Sequence, residues 1–255
     1  MIRPCYTEQN YNRIMTLEQI LEHRRAVRKY DLERDIDSVK VKECVRLATL
    51  APTSSNMQLW EAYHVTDPAV LKMMAVACLG QGSASTCKQM VVFVTRQDKW
   101  KAHAKAVLDA NIAEVMKNSP EERKAHRIAL QKQYYARLMP LVYKRCFGLL
   151  GIVRKIAAQI IGLSRPITRQ VTEADMRTVV HKSCALAVQT FMLAMSEQGY
   201  DTCPLEGFDS LLVKKALGLP HDCGINMVIT CGIRTTGGVR GDRFRLPFDE
   251  FYHKI

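Results

Sequence analysis

Apolar and polar positions along this chain repeat with two periods, and the changes of period mark its elements. Thr16 opens the first helical stretch. Gln19, three residues on, completes a capping box, and Leu17, Ile20 and Leu21 recur at helical spacing through LEQILEHRRAV. A second helix starts at Ser38, with Val39, Val41, Cys44, Val45 and Ala48 apolar and Pro52 as its stop. WEAYHVT (60–66) and MVVFVT (90–95) read as strands, the second apolar enough to be an interior one. Pro68 opens a helix to about Cys78, and residues 173–199 form one long helix closed by Gly199. A short helix over 210–217 ends at Gly218 and Pro220, and INMVITCGI (225–233) is a third buried strand. There is no internal repeat and no low-complexity tract.

Composition narrows the class. The 255 residues are 47% hydrophobic, enough for one full-sized core, which excludes a disordered chain, a collagen-like fibre and a disulfide miniprotein. Nine cysteines is an odd count with no Cys-x-x-Cys pair, so the thiols read as reduced small hydrophobes rather than a disulfide framework or zinc site. The seven histidines make no i, i+4 pair, and no metal site is expected. His221 and Cys223 read as solvated or satisfied side chains, His181 as a helix-packing histidine and Cys203 as a buried inert thiol. The stretch MIRPCYTEQNYNRIM lacks the apolar run of a signal peptide, and no uninterrupted 18-residue apolar run occurs. The expected location is soluble and cytoplasmic.

Charge changes the picture further. The formal net charge is +12, and residues 96–172 hold sixteen Lys/Arg against five acids, nearly the whole excess. This segment reads as an inserted, mostly helical, basic subdomain in an otherwise near-neutral single domain spanning 1–255. Within it, LVYKRCFGLLGIVRKIAAQIIGL (141–163) reads as a basic amphipathic helix. Lys144, Arg145, Arg154 and Lys155 fall on one side, and Leu149, Leu150, Ile152, Val153, Ile156, Ile160 and Ile161 on the other. The default expectation is packing through the apolar side with the basic side solvated; contact with an anionic membrane surface is the alternative. Nucleic acid is not an expected partner, because aromatic interleaving, a recognition-helix pattern and a zinc finger are all missing.

Four separated segments carry candidate chemistry. HRRAVRKYD (23–31) clusters Arg24, Arg25 and Arg28 at a helix end. APTSSNMQLW (51–60) is a loop of hydroxyl and amide side chains. CPLEGFD (203–209) places Glu206 and Gly207 in a turn, and CGIRTTGGVRGDRFRLPFDEF (231–251) holds Arg240, Arg243 and Arg245. Guanidinium groups on such segments suit bidentate phosphate binding, and the alternatives are a cationic helix cap at 23–31, a solvent-facing turn at the 51–60 loop and a solvated basic tail over 231–251.

In this order and spacing, RRAVRKYD, APTSSNMQLW, PLEGFD and GIR…RFRLPFDEF resemble the nitroreductase family of FMN-dependent oxidoreductases. So does VHKSCALAVQTFMLAMSEQGYDTCP, like that family's long central helix. The resemblance covers about 16–95 and 171–252. It implies an α+β fold, a mixed, largely antiparallel sheet flanked by helices, in a homodimer of intertwined chains with FMN at the interface. The C-terminal arm would reach across to the partner.

It further implies that Arg24, Arg243 and Arg245 hold the FMN phosphate. Arg25 and Ala26 share that motif, with Ala26 where the family usually has Ser, and Arg28 lies near the flavin ring. Pro52, Thr53, Ser54 and Asn56 would come from the other subunit, Glu206 and Gly207 would face flavin N5, and GQGS (80–83) would add polar contacts. The flavin performs the chemistry, so no catalytic side chain is assigned. The implied activity is ping-pong hydride transfer from NAD(P)H to a nitroaromatic, quinone or related electron-poor acceptor. Dehydrogenation or reductive dehalogenation on the same scaffold stays open, as does a non-catalytic module binding an anionic or membrane partner through its basic insertion.

Overall fold

Among the described residues four strands form one sheet: β1 (Trp60–Val65), β2 (Gln89–Thr95), β3 (Asp201–Leu205) and β4 (Gly224–Gly232), in the order β1-β2-β4-β3. All three strand pairings are antiparallel, and a parallel bridge joins Ala26 to Thr202 beyond the β3 edge. This is a computed structural model describing residues 15–255. Most of the stretch read above for a signal sequence, and Cys5 with it, lies outside the described residues.

The helices are α1 (Leu17–His23), α2 (Ser38–Ala48), α3 (Pro68–Ala77), α4 (Gly82–Thr86), α5 (Trp100–Asn118), α6 (Glu121–Lys132), α7 (Met139–Tyr143), α8 (Leu149–Ile161), α9 (Glu173–Glu197) and α10 (Ser210–Leu217). A π-helical stretch, Gln133–Leu138, joins α6 to α7.

All seven residues of β2 are buried, as an interior strand covered on both faces requires. Its side chains divide by the two-residue period. Val91 and Phe93 enter a cluster with α2 and α9 that includes Cys44, Phe191 and Met195. Met90, Val92 and Val94 enter the opposite cluster with α3 and α10, through Met74, Ala77 and Val213. A third cluster, with Met57, Leu59, Val107, Tyr135, Tyr143 and Val180, fastens α5 and α7 to α9 and to the loop before β1.

The capping box at Thr16 and Gln19 is present, and Thr172 with Asp175 forms a second one that starts α9. By length and composition α9 could cross a membrane, but ten of its residues are buried in this core, which makes it the central packing helix. The eight described cysteines are free, and six are buried.

Two expectations need correcting. CPLEGFD (203–209) reads as a turn alone, but residues 201–205 form an edge strand; Pro204 is tolerated there because an edge position leaves one side of the backbone unpaired. The amphipathic helix over 141–163 is broken: Phe147 and Gly148 adopt left-handed φ of 46° and 85°, separating α7 from α8. Its orientation is also the reverse of the default. Arg154 and Lys155 face inward, half-buried, while Leu149, Ile152, Val153, Ile156 and Ile160 are exposed. Gly151 explains why: a Cβ there would lie 2.8 Å from Glu173 N, so only the small side of the helix can approach α9.

Candidate functional site

The end of α1 sets the site. His23, Asp201 and Arg234 tie this end to β3 and β4. Arg234 donates from its backbone N (2.7 Å) and Nε (2.7 Å) to the buried Asp201 carboxylate, and from Nη2 to His23 O (2.8 Å). The Ser196 hydroxyl donates to Ile20 O, so His23 Nδ1 is the donor to Ser196 Oγ at 2.9 Å. Burial lowers the His23 pKa, opposed by Asp201 and assisted by Arg234, so the ring is held neutral. Sequence reading gave Arg234 no role of its own. Its place directly after a buried strand was the available signal.

Fixed this way, the segment after α1 runs along the sheet edge, and the C-terminal segment folds over it. Arg243 Nη2 donates to the carbonyls of Leu21 (2.9 Å), Glu22 (3.0 Å) and Arg24 (2.7 Å), capping α1 with a cation as the helix dipole favours. Arg25 donates to Gly241 O at 3.0 Å, and Arg28 N donates to Gly238 O at 2.7 Å. The result is a cavity of about 280 Å³ lined by Arg24, Arg25, Ala26, Arg28, Arg240, Asp242, Arg243 and Arg245, among others. Six arginines meet one carboxylate there. Arg24 Nε is buried without a hydrogen-bond partner among the described residues. Its pKa is lowered by burial first, then by the fields of Arg243, Arg245 and Arg25. Guanidinium groups stay charged, so crowding them without matching acids costs energy that a bound anion would recover.

The turn after β3 lies beside this edge. Gln81 Nε2 donates to Gly207 O at 2.8 Å, and Arg28 Nη1 reaches Cys203 Sγ at 3.7 Å. Burial raises the Cys203 pKa and keeps it a thiol. Gly82 comes within 3.1 Å of Arg28 O when a Cβ is placed on it, so α4 packs directly on the arginine segment. Gly207 itself has open space: an added Cβ would meet only Gln81 Nε2, at 3.7 Å. Among the described residues nothing demands glycine at 207. Glu206 is exposed in the same turn.

Pro52, Thr53, Ser54 and Asn56 do not line the arginine cavity of the same chain. Their loop is clamped elsewhere. Ser54 N donates to Ser183 Oγ of α9 (3.1 Å), Gln58 N donates to Thr53 Oγ1 (3.1 Å), and Tyr135 OH donates to Ser55 O (3.0 Å). Ser55, Asn56 and Gln58 have left-handed φ of 52°, 52° and 49° on either side of a right-handed Met57, a strained turn held by these bonds. His181 is a packing histidine: Asn226 donates to its Nδ1 and carbonyl, both at 3.1 Å, and burial and then Arg177 lower its pKa. A larger cavity, about 480 Å³, opens among Trp100, Ala104, Leu108, Tyr135 and Pro140, rimmed by Lys101, Lys105 and Lys144. It shares no lining residue with the arginine cavity, where the cations are six rather than three.

Comparison with known proteins places this geometry. The sequence profile of the Nitroreductase family matches residues 21–233. The chain is similar to an oxygen-insensitive NADPH nitroreductase of Helicobacter pylori, 24% identical over 203 residues, covering 78% of each chain. In fold it is similar to the ydfN protein of Bacillus subtilis, with a TM-score of 0.69 and 20% identity over 93% of this chain and 98% of that one. It is also similar to an Exiguobacterium sibiricum protein solved in complex with FMN, with a TM-score of 0.64 and 20% identity over 94% and 98%.

Proposed function

The chain belongs to the nitroreductase family, and on that premise we propose that it is an FMN-dependent oxidoreductase that takes hydride from NAD(P)H and delivers it to an electron-poor acceptor, a nitroaromatic or quinone. The observation that carries this reading is the arginine cavity with the unpartnered Arg24 Nε, an anion site of the size and charge that a mononucleotide phosphate needs. FMN, when bound, supplies two-electron chemistry between a nicotinamide and the acceptor.

The protein supplies position and field. Arg24 and Arg245 offer charge-assisted bonds to a phosphate, and Arg243 adds charge while holding the α1 carbonyls in place. Arg25 and Ala26 continue that wall, and Arg28 brings a fixed cation toward the sheet edge where ring charge would develop. The open face at Gly207 leaves its backbone free to meet a flat ring edge, with Gln81 orienting the turn and Glu206 beside it. Pro52, Thr53, Ser54 and Asn56, lying outside their own chain's cavity, fit a site completed across a homodimer.

The C-terminal arm supports that assembly. Phe244, Leu246, Phe248, Phe251 and Tyr252 are all exposed in the single chain, which is the expected state of an arm that packs on a partner. In the basic helical segment about 96–172, an insertion in one domain spanning 1–255, the part that lines the larger apolar cavity, from Trp100 to Lys144, would shape acceptor choice.

Purified protein should absorb in the flavin bands, bleach anaerobically on NADPH or NADH addition, and regain colour when a nitroaromatic or quinone is added. Protein that is colourless, and stays inert to NAD(P)H after incubation with FMN, would overturn the reading.

A further inference from the structure

Helix α8 is mounted with its apolar side facing outward. Leu149, Ile152, Val153, Ile156 and Ile160 recur at helical spacing on that side, each more than half exposed, with Phe147 and Leu163 fully or nearly fully exposed at the ends. The inward side is Gly151, Arg154, Lys155 and Ala158, the same spacing in small and basic residues. The mounting is locked at several points. Lys155 Nζ donates to Arg169 O at 3.2 Å, and Arg154 donates to Lys144 O. Arg169 Nη2 donates to Gly162 O at 3.0 Å, and the Glu173 carboxylate accepts from Cys146 N (2.9 Å) and Gly148 N (3.1 Å). Rolling the helix to bury its isoleucines would break these bonds and drive larger side chains into the Glu173 backbone.

We propose that this outward face of α8 docks on the anionic surface of a phospholipid bilayer. Charge selects that occupant. Lys144, Arg145 and Arg165 are exposed at the two ends of the stripe, and residues 124–171 carry ten Lys/Arg and no carboxylate. An interfacial helix buries its apolar side chains at the level of the acyl boundary while flanking cations meet headgroup phosphates, and α8 with its flanks presents that combination. A second copy of the same face would set the flanking Lys144, Arg145 and Arg165 against cations of the same segment, with no acid between residues 124 and 171 to offset them, an arrangement that like-charge repulsion disfavours. This inference goes beyond the redox reading and does not depend on it, because α8 contributes nothing to the arginine cavity.

Flotation of the full-length protein on vesicles tests it. The wild type should rise with phosphatidylcholine vesicles containing phosphatidylglycerol and stay behind with phosphatidylcholine alone. The triple variant Ile152→Gln/Ile156→Gln/Ile160→Gln should lose about tenfold or more of that partitioning. The pair Arg145→Gln/Arg165→Gln, or added salt, should weaken it as well. All five side chains are exposed, so circular dichroism and vesicle-free NAD(P)H oxidation should match the wild type, which separates loss of docking from loss of the redox activity. Three results would overturn the proposal: a wild type that does not float with anionic vesicles, a triple variant that floats as well as the wild type, or a triple variant whose oligomeric state changes in vesicle-free buffer.

Discussion

Arg24 carries a charge that its own chain does not balance. Burial and three neighbouring guanidinium groups all depress its pKa, and its Nε has no acceptor. Gly207 is the complementary case, a residue whose smallness the chain does not require. Replacing it with Ala should leave the thermal midpoint unchanged, because the added Cβ meets only ordinary contact, yet weaken FMN binding if the cofactor edge lies against it. A variant that unfolds at lower temperature with unaltered FMN affinity would show that the glycine serves the fold. His23 and His181 give a pH signature. Both have pKa values lowered from the ordinary 6.5, chiefly by burial, so the unfolded chain binds protons that the folded one refuses. Their contribution to stability is therefore full above about 6.5 and lost as the pH falls toward the lowered folded values. The thermal midpoint should drop on acidification from neutral, and His23→Gln should flatten the decline; a midpoint flat through that range would contradict it. At this scale the sequence was informative where residues cluster by type: Arg24, Arg25, Arg28, Arg243 and Arg245 do share one cavity. Arg234 was not readable, since one arginine after a strand looks the same whether it is solvated or anchors a buried Asp201.

Elements were legible where pattern and environment agree. Strand β2 and helix α9 announced themselves through unbroken apolarity and a 3.6-residue period, and both lie in the core. Strand β3 did not, because DTCPL is too short, too polar and interrupted by proline; pairing with β4 makes it a strand. Helix α8 shows the opposite failure. Its two faces have the same period, so periodicity identified the helix while hydrophobicity chose the wrong face to bury. Steric fit at Gly151 decided the orientation. Gly151→Val should therefore destabilise the protein by about 1–3 kcal/mol in chemical denaturation, with faster hydrogen exchange confined to α8 and the start of α9. Unchanged stability would mean that α8 is not seated as described.

At the scale of the molecule, three regions are unbalanced in a single chain: the cationic cavity, the apolar C-terminal arm and the outward face of α8. The intertwined assembly proposed for this member of the family would account for the cavity and the arm together, since a second copy would cover the arm and bring the Thr53–Asn56 loop to the cavity. Sequence could anticipate this only through resemblance, because no periodicity encodes a partner. The central claim is that the arginine cavity grips a phosphate, and one comparison measures it: the affinity of the apoprotein for FMN against riboflavin, which differ by that group alone. Two charge-assisted bonds, from Arg24 and Arg245, at about 1.5–3 kcal/mol each predict FMN binding about a hundredfold or more tighter, a gap that Arg24→Ala/Arg245→Ala should largely close. Equal affinity of the wild type for the two flavins would contradict the account.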